Sequence, residues 1–314
     1  MTISTDYSRV VTYSRAYTIV PTYECFNRCS YCNFRTDIGK SPWLSLSQAR
    51  EILKTLPGEV TEILILSGEV HPKAPDRQAW SERIYDLGKL ALDMGFMPHT
   101  NAGILSYEEM KKLKEVNVSM GLMLEQITPD LLLTVHRHAP SKIPALRLEQ
   151  LHWAGELRIP FTTGLLLGIG EKETHRWDTL EAITHIHQRW GHIQEVILQP
   201  YNVGTKEAWQ GESFQPEMLP ALVERAREIL PADITIQIPP NLVASDSVLF
   251  QCLEAGARDL GGIVPKDEVN PDYEHSNLEL LTRKLAARGW QLKPRLPIYP
   301  QYEGWLTEKA QPQD

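Results

Sequence analysis

Cysteine is scarce in this 314-residue chain: four in all, three of them crowded between positions 25 and 32 and the fourth alone at 252. So few thiols exclude a small secreted scaffold stapled by disulfides. No uninterrupted apolar run approaches the roughly 18 residues that a membrane-crossing helix needs. The opening Met1-Thr-Ile-Ser-Thr-Asp-Tyr7 has no apolar run behind it, so no secretory signal is expected. Positive charge is also short. Lys plus Arg number 32 against 40 Asp plus Glu, a net of −8, which argues against a chain built to coat nucleic acid. Linkers, repeats and low-complexity stretches are missing before the C-terminus. With 42% apolar residues the chain has an ordinary core to bury. These absences leave a single α/β domain over residues 1–314, in the cytoplasm, with neither nucleic acid nor membrane as a partner.

What is present is a cysteine motif. Cys25, Cys29 and Cys32 lie in Tyr-Glu-Cys-Phe-Asn-Arg-Cys-Ser-Tyr-Cys-Asn-Phe-Arg, a CxxxCxxC spacing. Three close thiolates suit an iron–sulfur cluster with one iron left open for a small molecule. A structural zinc site normally takes four protein ligands, and the second pair is missing. Cys252 falls in a helical pattern and reads as a small buried residue.

Around the motif, short β-branched runs alternate with longer helical patterns. Strands are expected at 17–22, 62–67, 96–101, 118–124, 161–167, 195–199, 234–238 and 260–264. Helices are expected at 46–56, 80–94, 107–116, 145–157, 179–190, 216–229 and 245–255. Ser45 or Ser47 is the N-cap candidate of the first helix, and Pro57-Gly58 ends it. Strict alternation implies a parallel sheet with helices outside, and eight units over about 250 residues is the size of a TIM-type (β/α)8 barrel. A partial barrel of six units is the alternative. The core is expected at about 13–264, with an extension over 265–314 covering the mouth. The cysteines follow the first strand, where such barrels carry their chemistry.

The cysteine spacing, with Tyr31 just before the third cysteine, resembles the signature of the radical S-adenosylmethionine (SAM) enzymes. The resemblance implies a 4Fe–4S cluster on Cys25, Cys29 and Cys32 and SAM chelated at the open iron. An electron from the cluster then cleaves SAM to methionine and a 5′-deoxyadenosyl radical. Ser67-Gly68-Glu69 at the second strand end matches in part the glycine-rich segment that binds the SAM amino group. Asn101, in Pro98-His-Thr-Asn-Ala-Gly103, is expected to point into the mouth or its rim with His99, which reads either as a hydrogen-bonded rim residue or as a substrate contact. Glu125 is the candidate for the SAM ribose, its alternative being a helix-start acid favoured by the macrodipole. Arg147 and the run Gly164-Leu-Leu-Leu-Gly168-Ile-Gly170-Glu171 resemble the biotin synthase-like branch. There the guanidinium pairs with the SAM carboxylate and Gly168 lets backbone lie against the adenosyl group. The pairs His136/His138 and His185/His187 have no metal-ligand spacing.

Phe26-Asn27-Arg28, Asn33-Phe34-Arg35, Pro98–Gly103, Arg158–Gly164 and Arg295-Leu-Pro-Ile-Tyr-Pro300 together resemble one family. It is the CofG-type radical SAM subunit of 7,8-didemethyl-8-hydroxy-5-deazariboflavin synthase, and the likeness runs from about Tyr13 to Tyr302. Gln199-Pro-Tyr-Asn-Val-Gly-Thr205 departs from the family pattern and bears on substrate contacts. The resemblance implies closure of the deazaflavin ring from a hydroxybenzyl–ribitylaminouracil adduct, with ammonia released. The adduct is supplied by a separate CofH-type radical SAM subunit, and a ferredoxin or flavodoxin supplies the electron. Asp267, Glu268, Asn270, Pro271 and Asp272 are candidates for substrate contact or, alternatively, a solvated acidic loop. Two other readings stand beside this one: another biotin synthase-like radical SAM enzyme, such as a menaquinone-pathway cyclase or a cluster-assembly enzyme, and a non-enzymatic iron–sulfur or zinc module.

Overall fold

A computed structural model describes residues 9–209, 211–243, 245–275 and 277–311. The first eight residues, on which the expectation of no secretory signal rests, lie outside the described residues.

The strands are β1 (Val10–Ile19), β2 (Glu62–Leu66), β3 (Met97–Asn101), β4 (Ser119–Gly121), β5 (Phe161–Leu167), β6 (Ile193–Pro200), β7 (Thr235–Gln237), β8 (Asp259–Ile263) and β9 (Gln291–Arg295). The helices are α1 (Leu46–Lys54), α2 (Arg77–Asp93), α3 (Tyr107–Leu113), α4 (Pro144–Glu156), α5 (Glu173–Trp190), α6 (Leu219–Ile229), α7 (Asp246–Glu254) and α8 (Leu278–Ala286). All strand pairs are parallel. The order runs from β2 through β8 to β1, and β1 also pairs with β2, so the eight strands close a barrel. Each expected strand lies at its place in that barrel.

The structure adds two elements that the pattern does not announce, α8 and β9. β9 pairs with the first half of β1, Val10–Ser14 against Gln291–Arg295. Its Gln-Leu-Lys-Pro-Arg sequence carries too little apolar alternation to read as a strand. Because β9 gives that half of β1 a partner, β1 begins seven residues before the expected start, at Val10 instead of 17. The helix expected from 216 begins with a 3-10 turn, Pro216–Met218, and becomes α-helical at Leu219. At α1 the cap is Ser45, whose hydroxyl accepts from Gln48 N while Gln48 reaches back to the Ser45 N–H. Such a box is worth about 1 kcal/mol.

The extension divides its work. Residues 267–275 stand over the mouth. β9 and the turn after it pass beneath the barrel, where the Pro297 carbonyl accepts from Ser119 and Gln194. Val118, Ile298, Tyr302 and Ala310 form a small apolar cluster on that underside. Among the described residues no helix is long and apolar enough to cross a membrane. Gly121 and Gly262 stand in the inner wall where such barrels usually carry branched side chains, so the centre stays open above the floor.

Candidate active site

The chamber inside the barrel has a volume of about 360 Å³. Cys25, Cys29 and Cys32 line its upper end, six residues beyond the end of β1 and onward, all half-buried and free of disulfides. Backbone bonds fix their loop from several sides. Phe26 N donates to Glu69 O at 2.9 Å, Arg28 N to His138 O at 2.8 Å and Ser30 N to Val135 O at 3.0 Å. Gly68 is required here, since a Cβ on it would fall 2.1 Å from the Glu24 carbonyl oxygen. The close approach at Gly68 is therefore to the cysteine loop itself.

Burial pushes the Cys25 thiol up to about 11, with the Glu69 charge adding to the rise. Burial likewise raises Cys29 to about 12, against the opposing charge of Lys142. These thiols stay protonated until a metal displaces the proton. Among the described residues no three His, Cys, Asp or Glu side chains converge on one point as a single ion would need. A cluster places each thiolate on a different iron, so its sulfurs stand apart around it. Three half-buried thiols lining one cavity, with no fourth ligand among the described residues, fit a cluster with an open iron.

Beside the thiols lies a knot of buried charges. Arg147, 2% exposed on α4, donates from Nε to Ser141 O at 3.1 Å and from Nη1 to Met123 O, and its Nη2 stands 3.4 Å from Glu69 Oε1. Glu125 holds a positive φ of 61° near the start of the fourth βα loop and pairs with Lys142. Burial works against the Lys142 ammonium, and Arg147 adds to that, yet Glu125, Cys29 and Glu69 together hold its pKa above the ordinary value. Lys142 escapes sequence reasoning because it sits in a 3-10 turn, Pro140–Lys142, with no periodicity or motif to mark it. Tyr31 bonds through its hydroxyl to His136 Nε2 at 2.9 Å. Burial, then Lys142 and Arg147, push that imidazole down to about 2, so it stays neutral.

The remaining candidates divide. Asn101 and Ser67 line the chamber, but the Ser67 hydroxyl is spent on Trp80 Nε1 at 3.0 Å and Gly68 O at 2.9 Å. Gly168 lies off the chamber wall. Its φ is 87°, its N–H donates to Glu171 Oε1 at 2.8 Å, and Phe214 packs against its open side. Asp267, Glu268 and Asn270 reach the chamber, yet their acids chiefly tie the cover down. Asp267 accepts from Asn241 Nδ2 at 2.9 Å, Glu268 from the Tyr23 hydroxyl at 2.8 Å, and Asp272 from Asn33 Nδ2 at 2.9 Å and Thr205 N at 2.8 Å. His187 is structural, facing Asp233 and the Ile193 N–H.

The floor carries an ion cluster that no spacing foretells, since its members come from three distant strands. Arg295 bonds Asp259 at 2.6 and 2.8 Å and also Glu195, which accepts from the Tyr299 hydroxyl at 3.0 Å. Burial raises the Glu195 carboxyl to about 8, against Arg295 and with Asp259. A folded pKa above the unfolded one means the fold holds the proton longer. That stabilising share is complete below the unfolded value of about 4.3 and is lost as pH rises toward 8. The buried histidines 99, 136 and 192, all pushed down by burial, act oppositely and below about pH 6.5. From pH 6.5 to 8 stability is therefore expected to fall by up to about 2 kcal/mol, and Glu195→Gln to flatten the slope. Urea melts across that range check this; the same slope in both proteins would assign it to another group.

The comparisons agree with this geometry. A model described as the radical SAM superfamily matches residues 19–183. The chain is 66% identical over 303 residues to 7,8-didemethyl-8-hydroxy-5-deazariboflavin synthase of Trichormus variabilis, covering 96% of this chain and 89% of that one. It is 60% identical to the Synechococcus elongatus protein of the same name over 98% and 92% of the two chains. Among solved structures, the hydrogenase maturase HydG of Carboxydothermus hydrogenoformans superposes with a TM-score of 0.75 at 17% identity, over 96% of this chain and 71% of that one. Methylornithine synthase follows at 0.67 and 17%, over 95% and 87%. At such identities the two structures speak for the barrel alone. The family model and the full-length relatives go further: this chain belongs to the radical SAM superfamily and, within it, to the 7,8-didemethyl-8-hydroxy-5-deazariboflavin synthases.

Proposed function

We propose that this chain performs the ring-closing half of deazaflavin synthesis. Its substrate is the adduct of a hydroxybenzyl group with ribitylaminouracil, made by a separate CofH-type subunit, and ammonia leaves as the ring closes. The observation that carries this reading is a single three-thiol mouth above one deep chamber in a chain 66% identical to a named synthase. One such mouth serves one SAM-cleaving centre. The reaction is then a carbon–nitrogen lyase step, with SAM consumed as oxidant.

When bound, the 4Fe–4S cluster and SAM supply a 5′-deoxyadenosyl radical. The residues supply placement. Cys25, Cys29 and Cys32 hold the cluster. Glu69 would hold the SAM amino group, and Arg147 with Lys142 its carboxylate, by charge-assisted hydrogen bonds. Glu125 keeps one carboxylate oxygen beyond its Lys142 contact for a ribose hydroxyl. Tyr31, half-buried against neutral His136, closes the side of the cysteine loop. The cover at 267–275, tied to Tyr23, Asn33, Thr205 and Asn241, screens the chamber from water. A ferredoxin or flavodoxin delivers the electron.

The test is an anaerobic assay of the reconstituted protein with SAM, a chemical reductant and the adduct, read as deazaflavin fluorescence. Product is expected from the adduct. None is expected from tyrosine and the diaminouracil until the partner subunit is added. Product from those simple precursors by this chain alone would sink the division of labour. SAM cleavage without product from authentic adduct would move the chain to another branch of the superfamily.

A further inference from the structure

The chamber floor presents an imidazole whose tautomer the hydrogen bonds fix. His99, on β3, is 7% exposed and lines the chamber. Its Nδ1 lies 2.7 Å from Ser119 Oγ. That hydroxyl spends its one proton on the Pro297 carbonyl, also at 2.7 Å, so toward the ring it can only accept. Nδ1 therefore carries the hydrogen and Nε2 carries a lone pair. Gln194 Nε2, 3.0 Å from the same carbonyl, holds Pro297 in place. Burial and then Arg295 push this imidazole down to about 3, so the lone pair persists at working pH.

Among the described residues nothing donates to Nε2. Gly121 keeps it reachable, because a Cβ there would come within 2.9 Å of it. The wall at this depth is mixed: Glu62, Thr162 and Gln237 supply polar groups between the apolar Leu64 and Ile197. Asn101 stands two residues further along β3, about 6.6 Å nearer the mouth. The thiols lie at that mouth, so the reacting part of a bound substrate must be held high. Whatever reaches the floor must be a hydrogen-bonding arm remote from the reacting bonds.

The substrate proposed above has two candidates for that arm. Its phenol is a flat ring with a single hydroxyl and asks for apolar walls. Its ribityl chain is flexible, carries several hydroxyls and asks for mixed donors and acceptors, which is what this floor offers. We propose that the barrel floor is a polyol subsite in which His99 Nε2 accepts a hydrogen bond from a ribityl hydroxyl, with Ser119 as the positioning residue that fixes the tautomer. The proposal rests on the reading of the chain as a deazaflavin-forming enzyme.

The test is equilibrium binding to the cluster-loaded protein with SAM, without reductant, followed by fluorescence anisotropy of two probes. One is the ribityl-bearing 8-hydroxy-5-deazaflavin and the other the same chromophore without the ribityl chain. The wild type is expected to bind the first about tenfold more tightly, a ratio in keeping with one well-made hydrogen bond. His99→Phe should erase most of that preference while leaving the ring-only probe unchanged. His99→Gln, which keeps an acceptor, should retain part of it. Ser119→Ala should lower the preference and Ser119→Thr, which keeps a hydroxyl, restore it. Equal affinity of the wild type for the two probes overturns the subsite, and that comparison needs no variant to fold. Equal weakening of both probes by His99→Phe also overturns it, assigning His99 to the ring. A wild type that binds neither probe overturns the deazaflavin reading, and the subsite with it.

Discussion

Replacing Cys25, Cys29 or Cys32 singly by alanine is expected to abolish cluster retention and SAM cleavage, while Cys252→Ala keeps both. The three thiols face one chamber and no neighbour is free to substitute. Glu69 is engaged by Arg147, Glu125 by Lys142, and His136 by Tyr31. Removing one thiolate leaves an iron without a protein ligand, and a three-ligand site has no redundancy. Cys252 is fully buried on α7, in the apolar core, and burial alone raises its thiol to about 12. Its loss trims a small side chain and touches no ligand. Iron and acid-labile sulfide content after anaerobic reconstitution, with low-temperature EPR of the reduced protein, checks this. Retention of the cluster in any of the three variants, or its loss in Cys252→Ala, would overturn the ligand assignment.

The barrel and its cysteine mouth were legible because both are local. Strand and helix periods are written in consecutive residues, and the CxxxCxxC spacing lies within one loop. The charges around the mouth were legible only one at a time. Arg147 and Glu69 stand out on a helix and at a strand end, but their pairing joins positions 78 residues apart. Lys142 carries no pattern, and only the fold brings it to Glu125 and Cys29. The floor was illegible for a stronger reason. β9 owes its existence to pairing with β1, so its own sequence need not look like a strand. Arg295 then meets Glu195 across 100 residues and Asp259 across 36. Gly168 was legible as a glycine, but not the packing on its open side. A glycine-rich strand end suggests close approach to a ligand, whereas here the open side receives Phe214.

Arg147→Ala is expected to cost about 3–5 kcal/mol of stability, as removal of one partner of a buried ion pair usually does. The guanidinium is 2% exposed and serves three groups at once: the carbonyls of Ser141 and Met123 and the Glu69 carboxylate. Alanine leaves the two carbonyls unpaired and the Glu69 charge uncompensated inside the barrel. The same residue is the candidate for the SAM carboxylate, where a lost charge-assisted contact of about 1.5–3 kcal/mol is worth roughly ten- to a hundredfold in affinity. The two roles separate experimentally. A structural role alone lowers the denaturation midpoint and leaves SAM affinity intact once the variant is folded at low temperature. A ligand role raises the SAM dissociation constant even there. Arg147→Lys sharpens the distinction, since an ammonium keeps the charge but has no planar fork for two carbonyls and a carboxylate together. It should regain part of the SAM affinity and little of the stability. Denaturant melts of the cluster-free proteins, paired with SAM titrations of the reconstituted ones, measure both. An Arg147→Ala protein as stable as the wild type would show that the buried knot is not held together by this guanidinium. Unchanged SAM affinity in both variants would remove Arg147 from the ligand site and leave it as the strut between α4, the fourth βα loop and the Glu69 strand end.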